Sequence, residues 1–145
     1  MLFNGLPPLA PYIIAIIFLI VISIVDIFTF NKEEGYIPAV MTTCFLILSV
    51  LSSEVSGIHA GILAFLIGML LVDMDLFHGV ADWKEFVACG ITLMSMWYVV
   101  WFAFFTVFTA IVYQLLAKYV NKFKEIPFVP AIGIAYIATL LVILL

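Results

Sequence analysis

The chain has 145 residues, 68% of them hydrophobic, and its 5 lysines and 9 acidic residues give a net charge of −4. So few polar side chains cannot cover a soluble domain of this size, and the composition therefore predicts an all-α polytopic membrane protein embedded in a lipid bilayer. An acidic chain with scattered lysines also excludes a basic surface for nucleic acid. The two cysteines, Cys44 and Cys89, form neither a CxxC pair nor a disulfide framework, so we expect both to be buried apolar residues.

Uncharged stretches mark the candidate membrane spans, because a charge at the centre of a bilayer costs about 2.5 to 3.5 kcal/mol. Four such stretches have about the 20 residues that one spanning helix needs. The fifth, residues 86–117, would be about 48 Å long as a single helix. This length exceeds the hydrocarbon core of about 30 Å, so we predict a turn near Trp97, Tyr98 and Trp101. The result is a single membrane-embedded domain over residues 1–145, a bundle of about six transmembrane helices without a soluble cytoplasmic domain, with spans at 8–30, 36–53, 57–77, 83–97, 99–118 and 127–145.

The lysines give an independent indication of the number of spans, because cytoplasmic loops collect Lys and Arg. With six spans, all five lysines lie on one side of the membrane. With five spans, they would divide between the two sides. We therefore predict six spans, with the lysine-bearing loops in the cytoplasm and both termini outside.

Two aspartates lie within or at the ends of predicted membrane spans, where an ionised carboxylate is energetically unfavourable. Such residues are functional candidates in membrane proteins. Asp26 follows 25 uncharged residues and precedes one more apolar turn. Asp82 lies at the start of the fourth predicted span. Because two spans separate them, both aspartates are expected at the cytoplasmic side, where they could meet.

Two carboxylates that share a dry site cannot both ionise, so such a pair holds one proton between them. One carboxylate then acts as a base towards water and the other as an acid towards a peptide carbonyl, as in an aspartic protease. The alternative is that Asp26 and Asp82 only stabilise helix ends, with Asp82 as an N-cap. Asp73, Asp75, His78 and Asp82 could in principle bind a hard cation, but their spacing matches no ligand pattern and is typical of a solvated interfacial turn, so we expect neither a metal site nor another cofactor.

Small residues recur at four-residue spacing in the third predicted span. Such a row lets a neighbouring helix approach closely. We expect it to pack inside the bundle, and a homodimer face is the alternative. The residues are Gly57, Ala60, Gly61, Ala64 and Gly68.

Three short motifs occur in order along the chain. They are Asp26 followed by Ile37-Pro38, then Gly79-Val80-Ala81-Asp82-Trp83-Lys84, and finally Ile126-Pro127-Phe128-Val129-Pro130. Together they resemble the motifs of the type IV prepilin peptidase family and its archaeal preflagellin peptidase branch, which are membrane aspartyl proteases of the GxGD type. The resemblance covers essentially the whole chain. It implies that Asp26 and Asp82 are the catalytic pair and that Gly79, Ala81, Lys84, Pro38, Pro127 and Pro130 support the site.

The resemblance further implies a multi-pass protein of the plasma membrane that removes leader peptides from prepilin-like or archaellin precursors at the cytoplasmic face. The chain has no CxxC pairs, so we expect no N-methyltransferase activity. Ala81 and Val129 stand where the family pattern has glycine, and Ala39 stands where it has asparagine. An inactive peptidase-like scaffold and a small transporter or channel subunit are the alternative functions.

The predicted topology places eight of the nine acids on or near the cytoplasmic side, with Glu54 outside. We expect this acidic face to attract a basic leader peptide, with Glu33 and Glu34 as possible contacts. Ordinary solvated loop charge is the alternative reading of the same pattern. The eight acids are Asp26, Glu33, Glu34, Asp73, Asp75, Asp82, Glu85 and Glu125.

Overall fold

The computed structural model describes residues 9–29, 36–77, 80–120 and 128–145. Within these ranges the chain forms six helices and no strand. The helices are α1 (Ala10–Thr29), α2 (Tyr36–Ser52), α3 (Val55–Asp73), α4 (Val80–Leu93), α5 (Met96–Val120) and α6 (Val129–Leu144).

Three segments are long and apolar enough to cross a membrane: Ala10–Thr29, Val55–Asp73 and Met96–Leu116. The helices α2 and α6 are also apolar but shorter. Many large apolar side chains face outwards, including Ile13 at 54% exposure and Phe108 at 58%. A surface of this kind suits lipid rather than water, so the protein is a membrane protein built from helices, as the composition predicted.

The fourth helix is the centre of the bundle. It packs mainly on α3 and α2 and also contacts α1, α5 and α6. Its side chains are buried at Asp82, throughout residues 85–91 and at Leu93. With 14 residues, α4 is about 21 Å long, shorter than the hydrocarbon core of about 30 Å. A short central helix of this kind lies inside the bundle rather than along its lipid-facing surface.

Close packing between α3 and α4 depends on the small residues of α3. A Cβ added at Gly61 would lie 2.5 Å from Cγ1 of Ile91, and one added at Gly68 would lie 2.7 Å from the ring of Trp83. Gly90 on α4 faces Ala64 in the same way. The small residues therefore pack inside the bundle, as their spacing predicted.

The break between α4 and α5 lies at Met94 and Ser95, slightly earlier than the predicted turn near Trp97. Met94 has φ of 55°, in the left-handed region that cannot continue a helix. Trp97 and Trp101 are therefore part of α5 and stack edge to face. The prediction that residues 86–117 contain two helices is confirmed.

The two cysteines lie in different environments. Cys89 is buried in α4, as expected. Cys44 is exposed on α2, so the expectation of burial is wrong for this residue. The reason is the orientation of α2, which turns Thr42 and Phe45 inwards and leaves the intervening Cys44 on the outer face.

Candidate functional site

Asp26 lies in the last two turns of α1 and is half-buried. The backbone N–H of Val129, the first residue of α6, donates a hydrogen bond to its carboxylate. The first N–H groups of a helix have no partner within that helix and carry positive partial charge. The contact therefore supplies the first turn of α6 with an acceptor and places Asp26 beside the N-terminus of that helix.

Asp82 lies in the first turn of α4 and is 7% exposed. A negative charge is favourable there because of the helix dipole. The helices α1 and α4 are in contact, and both Asp26 and Asp82 lie close enough to Glu85 for their charges to act on it. The structure thus brings the two predicted aspartates to one end of the bundle, around a third carboxyl group.

Glu85 is the residue that sequence reasoning missed. It was expected at an acidic solvated face, but it is fully buried, one helical turn after Asp82. Neither carboxyl oxygen has a hydrogen-bond partner among the described residues. The signal that could have found it is the spacing, since residues 82 and 85 lie on the same side of a helix. Glu85 therefore belongs to the candidate site and adds nothing to the surface charge.

Polar side chains continue from Glu85 into the bundle. The Cys89 thiol lies one turn further along α4, close to Glu85. The hydroxyl of Tyr136 on α6 is close to Cys89 and forms a 2.7 Å hydrogen bond with the hydroxyl of Thr92. The site is therefore the outer end of a buried polar row, not an isolated pair of acids.

Three phenylalanines cover this end of the bundle. Phe77, in the loop after α3, contacts Phe86 on α4 and Phe128 before α6, each with ring centroids 5.5 Å apart. All three side chains are at most 5% exposed. Asp75 has φ of 56°, which ends α3 and lets the following loop turn Phe77 inwards. The aromatic cluster thus forms an apolar contact between the loop after α3, α4 and the start of α6.

The other predicted site residues within the described ranges belong to helices α2, α4 and α6. Lys84 donates a 2.9 Å hydrogen bond to the Thr43 hydroxyl on α2. Pro38 is buried in the first turn of α2, and Pro130 is the second residue of α6, where proline is tolerated. The backbone of Ala81 is helical. Four predicted residues lie outside the described ranges, namely Glu33, Glu34, Gly79 and Pro127.

Within the described ranges, no three His, Cys, Asp or Glu side chains are arranged to hold a metal ion. Chemically, the site offers two buried carboxyl groups, Asp82 and Glu85, beside the half-buried carboxyl group of Asp26. Such groups can accept and donate protons in a reaction. No protein-family model, no curated protein and no solved structure matches the chain.

Proposed function

We propose that this protein is an aspartic-type endopeptidase that removes leader peptides from prepilin-like or archaellin precursors. The observation that carries the proposal is the convergence of Asp26 and Asp82 beside the buried Glu85, from two helices in contact. The motif resemblance singles out the same two aspartates. The proposal includes six membrane-crossing helices, a plasma-membrane location, the site at the cytoplasmic face and no N-methyltransferase activity.

The proposed reaction needs one ionised and one protonated aspartate. The ionised carboxylate takes a proton from water while the water oxygen bonds to the scissile carbonyl carbon, and the other carboxyl donates its proton to the carbonyl oxygen. The C–N bond then breaks, the amine leaves with the proton taken from water, and the second carboxyl recovers its own proton. Leader and mature chain are released with the pair in its starting state.

The deciding experiment is cleavage of a panel of prepilin and archaellin precursors by the purified full chain in detergent. Asp26→Asn and Asp82→Asn are expected to abolish cleavage while keeping the fold, because an amide cannot exchange the proton that the reaction moves. Asp73→Asn is the matched control, since Asp73 is an exposed acid at the end of α3. It is expected to retain wild-type cleavage.

Cleavage that persists in both Asn variants would contradict the proposed pair. If the wild type cuts no precursor, Ala81→Gly restores the family glycine before Asp82. Cleavage by that variant would identify a peptidase disabled at one position. Its continued inactivity would count against a peptidase altogether.

One observation favours proton transport as a second candidate function. The buried row of Glu85, Cys89 and Tyr136 reaches into the bundle, and the Tyr12 hydroxyl on α1 lies near Tyr136. Rows of protonatable groups at several depths are typical of proton pathways in membranes. Proton flux into liposomes that contain the protein, lost in Cys89→Ala and absent from empty liposomes, would support transport.

A further inference from the structure

Glu85 combines full burial with a lack of partners. Both of its carboxyl oxygens are without a hydrogen bond among the described residues, although the side chain has no exposed surface. Buried polar groups in folded proteins are nearly always paired, so an unpaired carboxyl group requires an explanation. Within the part of the chain that the structure describes, the charged groups that act on Glu85 are the acids Asp82 and Asp26.

The three carboxyl groups differ in the hydrogen bonds and helix ends that could stabilise an ionised carboxylate. Asp26 accepts the N–H of Val129, and Asp82 lies in the first turn of a helix, where negative charge is favourable. Glu85 has neither kind of support, and its neighbours further into the bundle are Cys89 and, beyond it, Tyr136. An ionised carboxylate without partners in a dry interior is so unfavourable that the group stays neutral instead.

Lys84 does not supply the missing positive charge. Consecutive residues on a helix point about 100° apart. Lys84 accordingly reaches α2, where it donates to Thr43, while Glu85 lies near Asp26 on α1. The cation and the buried acid are therefore on different sides of α4.

We infer that Glu85 remains protonated in the folded chain and is a positioning residue, whose O–H donates to the ionised aspartate when the pair closes on a substrate. The second half of this inference rests on the proposed function. A neutral donor beside the pair fixes which aspartate is the base, without adding a further negative charge to the site. Among the described residues, Tyr113 on α5 also lies near Asp26.

The protonation state is tested without any substrate, by infrared spectroscopy of the full chain in detergent. A protonated carboxyl group has a C=O stretching band separate from those of carboxylates. We expect this band in the wild type near pH 7, where an ordinary glutamate is ionised. Its intensity should fall in Glu85→Gln, where only the protonated aspartate of the proposed pair still contributes, and should be unchanged in Glu54→Gln, the control at an exposed glutamate. A band that is absent, or that Glu85→Gln leaves unchanged, would overturn the inference.

The positioning role is tested by cleavage with two variants of matched size. Glu85→Gln keeps a neutral donor and is expected to cleave within about threefold of the wild type, whereas Glu85→Met removes the donor. For Glu85→Met we expect kcat to fall by about tenfold to a hundredfold, the effect of losing one hydrogen bond to a charged group, while KM stays unchanged. Wild-type kcat in Glu85→Met would overturn the role.

The pH profile separates a neutral Glu85 from an ionised one. The profiles of the wild type and Glu85→Gln should coincide, because neither carries a charge at this position. If Glu85 were ionised, its replacement would remove a negative charge near the pair and shift the profile of Glu85→Gln to lower pH. Should no precursor be cleaved, the positioning role fails with the proposed function, while the infrared result still decides whether Glu85 is protonated.

Discussion

Lys84 on α4 and Thr43 on α2 are joined by a hydrogen bond of 2.9 Å between Nζ and Oγ1. The Thr43 hydroxyl in turn donates to the carbonyl oxygen of Ala39, at 2.7 Å. Both of these contacts lie within the packed interface of α2 and α4. The half-buried ammonium group is thus fixed by a side chain on a neighbouring helix, and this anchors the turn of α4 that carries Asp82 and Glu85.

This hydrogen bond predicts a difference between two substitutions at Thr43. Thr43→Val keeps the shape of the side chain but removes the acceptor, and it should lower the free energy of unfolding by about 1 to 2 kcal/mol. Thr43→Ser keeps the hydroxyl and should remain close to the wild type. Unfolding of the purified protein in mixed detergent micelles measures both. Equal stability of the two variants would show that the contact with Lys84 contributes nothing.

The contact between Gly90 and Ala64 predicts a double-mutant result. A Cβ at Gly90 would collide with the Cβ of Ala64, which has no rotamer to move into. Gly90→Ala should therefore destabilise the protein by about 1 to 3 kcal/mol, the usual effect of overpacking. Ala64→Gly in the same chain should recover most of that loss, measured by the same unfolding assay.

Gly133 on α6 is the matched control for that experiment. A Cβ there would lie 3.8 Å from Oγ of Ser23, an ordinary contact distance. Gly133→Ala should therefore be neutral or stabilise the protein by up to about 1 kcal/mol, because alanine is the better helix former. Equal destabilisation by both alanines would contradict the packing described for Gly90.

The phenylalanine cluster predicts that Phe77 contributes far more than a lipid-facing phenylalanine. Phe77→Ala removes the ring that joins Phe86 to Phe128, and truncation of a buried phenylalanine costs about 3 to 5 kcal/mol. Phe108→Ala should cost much less, since Phe108 is 58% exposed. Thermal unfolding in detergent compares the two. Similar melting temperatures would indicate that Phe77 is not part of the packed interior.

The proposed six-span topology predicts the side of the membrane on which two residues lie. Glu54→Cys should react with an impermeant thiol reagent from outside intact cells, and Lys118→Cys should react only after the membrane is opened. Both native residues are exposed at helix ends, and Cys44 and Cys89 are replaced by alanine beforehand. If only the three long helices crossed, both positions would be on the same side. Shared accessibility of Glu54→Cys and Lys118→Cys would therefore refute six spans.

The features that were predicted correctly from the sequence depend on the order of charged, apolar and small residues along the chain. The charge-free stretches located the helices, and the excessive length of residues 86–117 located a break within them. The small residues of α3 showed that another helix would approach closely. The proximity of Asp26 and Asp82 around one site followed from the alternating direction of successive helices.

The residues that the sequence misplaced are those whose environment depends on packing. In the sequence Glu85 is indistinguishable from a surface glutamate, and its burial follows only from the central position of α4, which five other helices contact. Cysteine is a residue type that is usually buried, but the orientation of α2 about its axis leaves Cys44 on the outer face. The turn at Met94 depends on a left-handed backbone conformation that methionine rarely adopts, so nothing in its side chain indicates it.

The central position of α4 also constrains how the protein is synthesised. The first two turns of α4 contain three ionisable residues, Asp82, Lys84 and Glu85. Ionisable residues make the insertion of an isolated helix through the translocon unfavourable, because insertion depends on the hydrophobicity of each segment. The helices α2 and α3 leave the ribosome first, and they provide the Thr43 acceptor and the glycine-lined surface that α4 requires. We therefore expect α4 to join the bundle only after α2 and α3 are in place, because these two helices precede it in the chain.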